Sequence, residues 1–402
     1  MAWRTDPVGQ RAELVALMVH GRIPVTELSA LFGVSRKTAY KWRARYAAAG
    51  LAGLADASRR PQTHPAAMSA AVRAALVALR ARYPQFGPKK LRHVFATEHG
   101  AATAPAASTI GTLLRRLGLT QPARRRRHRT VEPQPAPSLA PTPNATWTAD
   151  FKGEFRLGDR TYCFPLTVLD HCSRYLLRAQ GLRGTGYPGA RPVFDSAFRE
   201  FGLPQCIRTD SGVPFCGNGP AGLTRMTVWW LKLGIRHERI PPGHPEHNGR
   251  HERMHRTLKA YVARPPARTL AAQQRALDRF RRHFNDERPH EALHMATPTS
   301  LYRPSPRRYD PQIGTADPSY PGHVERRRVE AKGYVRWRGG HVFVSTALAS
   351  ELVGLEEIAD GVWRLTFGSA LLGHLVENDA HISGLVRPRK QHGPIVLPMS
   401  PV

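Results

Sequence analysis

The chain reads as three architectures in series: an all-α N-terminal part, an α/β middle and a small all-β tail. Three observations predict this. Apolar residues recur at helical spacing as far as about residue 120. Between about 145 and 301, apolar strand-like runs precede and then alternate with amphipathic helical ones. From about 327 onward, apolar and polar residues alternate in short stretches broken by glycines. At 402 residues the chain is too long for one compact domain. A hydrophobic fraction of 41% is enough for folded cores.

Residues 10–50 predict a helix-turn-helix. Leu14, Leu17 and Met18 mark a first helix, and Leu28, Leu31 and Phe32 a second. Gly33 supplies the turn. Ser35 caps a third helix with Ala39, Trp42 and Tyr46 inward. That leaves Arg36, Lys37, Tyr40 and Lys41 at the exposed start of a recognition helix, where base edges are read. A second helical unit follows. Val72, Ala75, Leu76 and Leu79 form one stripe; Leu91, Val94 and Phe95 form another, opening at Pro88 and closing at Gly100. Ser108 is expected to cap a last helix with Ile110, Leu113, Leu114 and Leu117 inward. Its outward Arg115 and Arg116 suit DNA or a solvated face, and the residues do not decide between them.

The next stretch carries Arg124, Arg125, Arg126, Arg127, His128 and Arg129, then alternating proline and small residues. Such a segment has no core to bury and is expected to run extended, its arginines clamping phosphate. In the middle part, strands are expected over 146–156, 161–168 and 173–180, the first two joined by the turn Leu157-Gly158-Asp159-Arg160. A helix over 192–201, a strand over 205–209, a helix over 221–233, a strand over 235–239, a helix capped by Asn248 and a helix over 271–284 complete it. Three antiparallel strands followed by alternating helices and strands suggest an α/β fold of the ribonuclease-H type. Prolines between 304 and 321 read as a linker, and the alternating tail as a small β-barrel. The expected boundaries are 1–60 for the helix-turn-helix domain and 61–120 for the second helical domain. A basic linker at 121–144, the catalytic core at 145–301 and a linker at 302–326 follow. A small β-barrel at 327–380 and a basic tail at 381–402 close the chain.

The net charge is +30, from 60 basic and 30 acidic residues, and the isoelectric point is near 11.2. An excess this large points to a polyanionic partner, namely nucleic acid. Cys163, Cys172, Cys206 and Cys216 form no Cys-x-x-Cys pair, so a zinc ribbon is not expected and reduced, packed thiols are. There is no signal-peptide pattern and no apolar run long enough to span a bilayer. A cytoplasmic, nucleoid-associated protein is the expectation.

Three acids stand out in this basic setting. Asp150 and Asp210 each follow an apolar strand-like run, and Glu252 falls on an expected helix. Metal-assisted phosphoryl transfer needs carboxylate oxygens around two divalent ions. Hard oxygen ligands suit Mg²⁺ or Mn²⁺, and strands plus a helix place them rigidly. On the helix, Met254, Leu258 and Tyr261 are expected inward, with Glu252, Arg256 and Lys259 on the exposed stripe beside DNA. Two competitors exist. Glu246 gives a shorter interval (246 − 210 = 36, against 252 − 210 = 42) but lies in a Gly/Pro loop where placement is loose. His251-Glu252-Arg253-Met254-His255 matches the zinc-protease pattern H-E-x-x-H, yet Arg256 and Lys259 lie near that helical face and repel a cation.

The chain resembles the insertion-sequence transposases with a retroviral-integrase-type core. The resemblance rests on 147–153 (Trp-Thr-Ala-Asp-Phe-Lys-Gly), on 166–175 and on Thr209-Asp210-Ser211-Gly212. It continues through 243–249, 252–259 and Phe284-Asn285-Asp286-Glu287-Arg288-Pro289-His290. It implies a DDE transposase that binds terminal inverted repeats, cleaves element ends and joins 3′-hydroxyls to target DNA. The implied triad is Asp150, Asp210 and Glu252, holding two Mg²⁺ or Mn²⁺ ions, in a homo-oligomer on paired ends. Two departures are visible. The Gly-rich stretch 216–227 lengthens the second interval, and the His/Cys zinc domain of the retroviral proteins is replaced by helix-turn-helix units. The runner-up reading is a catalytically silent DNA-binding protein derived from such an element. His244, His247 and Arg288 either touch DNA or pack.

Overall fold

The computed structural model describes residues 6–56, 68–120, 140–217, 222–240, 249–378 and 381–382. The chain divides into two compact units, residues 1–69 and 70–402.

The first unit is three helices: α1 (Pro7–His20), α2 (Val25–Leu31) and α3 (Arg36–Ala49). Asp6 caps α1 by accepting from the Gly9 N–H at 3.0 Å. Gly33 adopts φ +63° in the turn between α2 and α3, where a β-carbon would be strained. Ser35 caps α3 as expected, accepting from the Thr38 N–H at 3.2 Å. Leu14, Met18, Leu28 and Ala39 form the core. Two expected core positions are instead open: Leu31 is 73% exposed and Tyr46 38% exposed. The reason at Leu31 is that α2 is only seven residues long and turns inward through Leu28 and Phe32.

The second unit begins with α4 (Ala70–Arg82), α5 (Pro88–His99) and α6 (Ala107–Arg116). Leu76, Leu79, Leu91, Phe95, Ile110 and Leu114 are buried. Ser108 does not cap α6: the cap position is Ala106, without a side-chain bond. Leu117 is 47% exposed because the helix ends one residue before it.

A six-stranded mixed sheet follows, from β1 (Thr146–Phe151), β2 (Phe155–Arg156), β3 (Tyr162–Asp170), β4 (Leu176–Leu182), β5 (Cys206–Thr209) and β6 (Arg236–Arg239). The expected first strand is two, because Gly153 at φ +83° breaks it. β3 pairs antiparallel with β1, β2 and β4, whereas β1–β5 and β5–β6 are parallel. Period-2 alternation divides the two faces. Trp147, Ala149, Leu166, Val168 and Ile207 pack with α7 (Tyr187–Phe201) and α8 (Arg225–Lys232). Leu169, Leu176 and Ala179 pack with α9 (Gly249–Val262) and α10 (Leu270–Arg282). Asn248, expected to cap α9, lies outside the described residues.

The Pro-rich segment after 301 lies along this core instead of crossing open space. Tyr302 donates to Asn144 Oδ1 at 2.8 Å, Tyr309 to Asp195 at 2.6 Å, and Arg307 to the Leu233 carbonyl at 3.0 Å. The tail holds β7 (Glu325–Arg328), β8 (Tyr334–Trp337), β9 (Gly340–Phe343), β10 (Leu352–Ala359), β11 (Val362–Phe367), β12 (Ala370–Asn378) and β13 (His381–Ile382). Among the described residues these make a five-stranded sheet, β13-β12-β11-β10-β7, and a β8–β9 hairpin whose Val335, Trp337 and Val342 share one apolar core with that sheet. Its core includes Val228 of α8, and Lys232 pairs with Glu351 at 2.8 Å.

The β3–β4 turn is held by a wholly buried carboxylate. Asp170 accepts from the Asn144 N–H at 2.7 Å, and from the Ser173 N–H and hydroxyl at 2.8 and 2.6 Å. Replacing it with alanine strands three buried donors. Asp170→Ala is therefore expected to lower unfolding free energy by roughly 3–5 kcal/mol in urea melts.

Candidate active site

The register of β1 against β5 sets the first two acids. Ala149 pairs with Thr209, so Asp150 and Asp210 follow side by side where the two parallel strands end. Adjacent strands lie about 4.8 Å apart, and equivalent positions point to the same face. Asp150 retains 16% side-chain exposure, and Asp210 is exposed. The Gly212 N–H donates to Asp210 Oδ1 at 3.1 Å, bending the chain back over that carboxylate.

α9 lies on the face of the sheet that carries Asp150. Its buried stripe is His251, Met254, His255, Leu258 and Val262. Tyr261, expected inward, is 42% exposed and stacks on His283 with ring centroids 5.2 Å apart. Val262 takes the inward position, four residues from Leu258. Glu252, Arg256 and Lys259 are exposed as expected. At about 100° per residue, Glu252 stands roughly 60° around the helix from His255.

Sequence reasoning missed the role of the two histidines. His251 Nε2 and His255 Nε2 lie 2.6 and 2.7 Å from Thr167 Oγ1, which donates to the Asp150 carbonyl at 3.0 Å. A hydroxyl has one proton and two lone pairs. Donation to Asp150 and acceptance from both rings fills that capacity, and places the proton of each imidazole on Nε2. His251 Nδ1 then accepts from Thr148 Oγ1 at 3.0 Å. His255 Nδ1 presents its lone pair 3.8 Å from Asp150 Oδ2, beyond hydrogen-bond reach. The signal available beforehand was the i, i+4 histidine pair itself; the threonines it meets, Thr148 and Thr167, lie on two different strands.

Among the described residues, Asp150, His251 and His255 are the group whose metal-ligating atoms lie within 4.8 Å of one another. The Asp150, Asp210 and Glu252 carboxylates are not gathered to that distance. Both nitrogens of the fully buried His251 are engaged by hydroxyls, so it is spent as a ligand. Donor capacity remains on Asp150 and on His255 Nδ1. A zinc-protease centre needs both histidines, and this arrangement denies it one.

The other expected contact residues fall as follows. Arg36, Lys37, Tyr40 and Lys41 are exposed on the first turns of α3. Arg115 and Arg116 are exposed at the end of α6. Arg124 to Arg127 lie outside the described residues, as does Glu246.

Comparison with known families agrees with this organisation. An integrase core domain family matches residues 233–298. A homeodomain-like family matches 38–114, and a helix-turn-helix family matches 10–62. The chain thus carries an integrase core domain behind N-terminal helix-turn-helix domains. A protein of insertion element IS476 from Xanthomonas euvesicatoria is 27% identical over 62% of this chain and 70% of its own length. One from IS407 of Burkholderia multivorans is 26% identical over 57% of this chain and 79% of its own. The HTLV-2 integrase catalytic core domain in complex with magnesium is 16% identical, with 40% of this chain and 98% of that one covered and a TM-score of 0.32. No helix among the described residues is long and apolar enough to cross a membrane.

Burial holds His251 down to about 3. Burial, then His251 and Lys152, hold His255 down to about 2. Both rings are thus neutral in the fold and titrate near 6.5 when it opens. Below pH 6.5 the unfolded chain binds protons that the folded chain refuses, so stability falls as pH drops toward 3. The expected loss is about 1.4 kcal/mol per pH unit for each histidine, read from urea unfolding at pH 7 and pH 5. A protein equally stable at both would contradict neutral burial.

Proposed function

We propose that the protein is a DDE-type DNA transposase, with Asp150, Asp210 and Glu252 as its catalytic carboxylates. The observation that carries this reading is the pairing of Ala149 with Thr209, which puts Asp150 and Asp210 in register at the C-terminal ends of two adjacent strands. The donor chemistry fits two Mg²⁺ or Mn²⁺ ions: hard oxygens on rigid strand ends, with Glu252 on the adjacent helix. Among the described residues neither Asp210 nor Glu252 forms an ion pair, in a chain with twice as many basic as acidic residues. Divalent ions held there would acidify an attacking water or 3′-hydroxyl and stabilise the leaving oxygen.

The chain's own residues do the rest. The neutral histidines back Asp150 without adding positive charge beside it. Arg256 and Lys259, exposed on the Glu252 side of α9, hold the phosphodiester backbone. The start of α3 reads terminal-repeat bases through Arg36, Lys37, Tyr40 and Lys41. Arg115, Arg116 and Arg124 to Arg127 add phosphate contacts. Two chains acting on paired ends, followed by joining to target DNA, complete the reading.

The test is incubation of the full chain with labelled element ends, target DNA and Mg²⁺. Joined products are expected. Asp150→Asn, Asp210→Asn and Glu252→Gln should each reduce joining by more than the ~10–100-fold typical of outer-shell changes at metal sites. Glu246→Gln should retain much of it. Cleavage without joining would indicate a nuclease, and binding alone a silent DNA-binding protein. Loss of joining in Glu246→Gln with activity kept in Glu252→Gln would move the third carboxylate to 246.

A further inference from the structure

A second site lies on the other flank of α9, built from the Arg288-Pro289-His290 motif that the catalytic reading leaves unused. A cavity of about 220 Å³ is bounded by α5, the β3–β4 turn, the start of α9 and the segment after α10. Lys90, Arg174, Arg250, Arg253 and Arg288 line it together with His290. The sole carboxylate in its wall among the described residues, Glu291, is already paired with Lys89 at 3.1 Å. Five cationic side chains therefore face one acid that is engaged elsewhere.

Several nitrogens of these groups lack a hydrogen-bond partner. Among the described residues, Arg174 Nη1, Arg288 Nη1 and His290 Nε2 are buried without a hydrogen bond. Lys90 is 91% buried (9% exposed). Buried cations are normally paired, and buried donors normally bonded. Here the arrangement is held open by aromatic contacts: the Arg288 guanidinium lies 5.5 Å from the Phe86 ring centre, and His290 sits edge-on to Phe284 at 4.8 Å. Arg250 is anchored by donation to the His171 carbonyl at 2.7 Å.

We propose that this cavity is a binding site for a phosphate group. Several arginine forks lining one cavity match a tetrahedral oxyanion better than an isolated carboxylate. The volume admits a phosphate with part of an attached group but is below the ordinary size of a nucleotide or drug-like pocket. The Lys90 ammonium is pushed down to about 7 by burial and then by Arg288, with Arg253 adding to the effect and Glu291 opposing it. Burial and the neighbouring Arg250 hold Arg174 down to about 10. An anion would relieve both. The phosphate is either a backbone phosphodiester of DNA, which rests on the transposase reading, or a free phosphate or polyphosphate, which does not.

Calorimetric titration of the full chain with inorganic phosphate and with tripolyphosphate tests the site. One anion per chain is expected, with binding weakened at least tenfold in Arg253→Gln and in Arg288→Gln. Arg253 is exposed, so its variant should keep the wild-type circular dichroism and melting curve. Asp150→Asn should bind the anion as wild type does, which separates this site from the catalytic one. The DNA arm measures affinity against salt. A slope reduced by about 1 in Arg253→Gln assigns the site to the DNA backbone. An unchanged slope with lost anion binding assigns it to a free anion. Absence of anion binding in the wild type, or equal binding in folded Arg253→Gln and Arg288→Gln, would overturn the proposal.

Discussion

The seating of two uncharged histidines on strand threonines is the interaction from which the candidate site's geometry follows. Thr167 Oγ1 meets both rings and the Asp150 carbonyl at once, and no further partner fits its lone pairs. That contact fixes the rotation of α9 about its own axis. Once His251 and His255 face the sheet, Glu252, Arg256 and Lys259 must project to one side, and Arg250, Arg253 and Thr257 to the other. A charged residue in this seam would either repel Asp150 or neutralise it. Imidazoles stripped of their proton by burial do neither, and their hydroxyl partners satisfy every buried nitrogen except the one aimed at Asp150.

Local chemistry made most of the fold legible in advance. Ser35, Pro88, Gly33 and Gly100 mark helix ends through caps and backbone preference, and each stands at such an end. The meander β1–β3–β4 emerges from apolar runs whose partners lie close in sequence. The errors have a common physical form. Leu31, Leu117 and Tyr261 are apolar and correctly spaced, yet a helix that stops a turn early, or a competing residue one step on, leaves them in solvent. Periodicity gives a face but not the length over which that face stays buried.

The candidate site was legible only in part. Asp150 and Asp210 follow strands, and strand ends can be read from sequence. Their alignment depends on a register across about sixty residues, which no local signal carries. The histidine contacts span 84 to 103 residues, so H-E-x-x-H is visible as a pattern while its partners are not. The Arg288 cavity is hidden for the same reason: its five cations and His290 come from four segments, and only folding shows that Glu291, the one acid beside them among the described residues, is paired with Lys89.

Charge placement ties the two sites together. Elsewhere in the core three acids are each paired with arginine. Asp195 pairs with Arg191 and Arg199, Glu200 with Arg178 and Arg281, and Glu238 with Arg208. On one flank of α9, Asp210 and Glu252 lack ion pairs among the described residues although cations are abundant in the chain. On the other, a cluster of arginines and Lys90 encloses space without a free carboxylate. A fold selected only for stability would bring such groups together, because opposite charges brought together in a partly buried setting attract. Keeping them apart on opposite sides of one helix leaves each to be balanced from outside. Metal cations would be complementary to one flank and phosphate anions to the other.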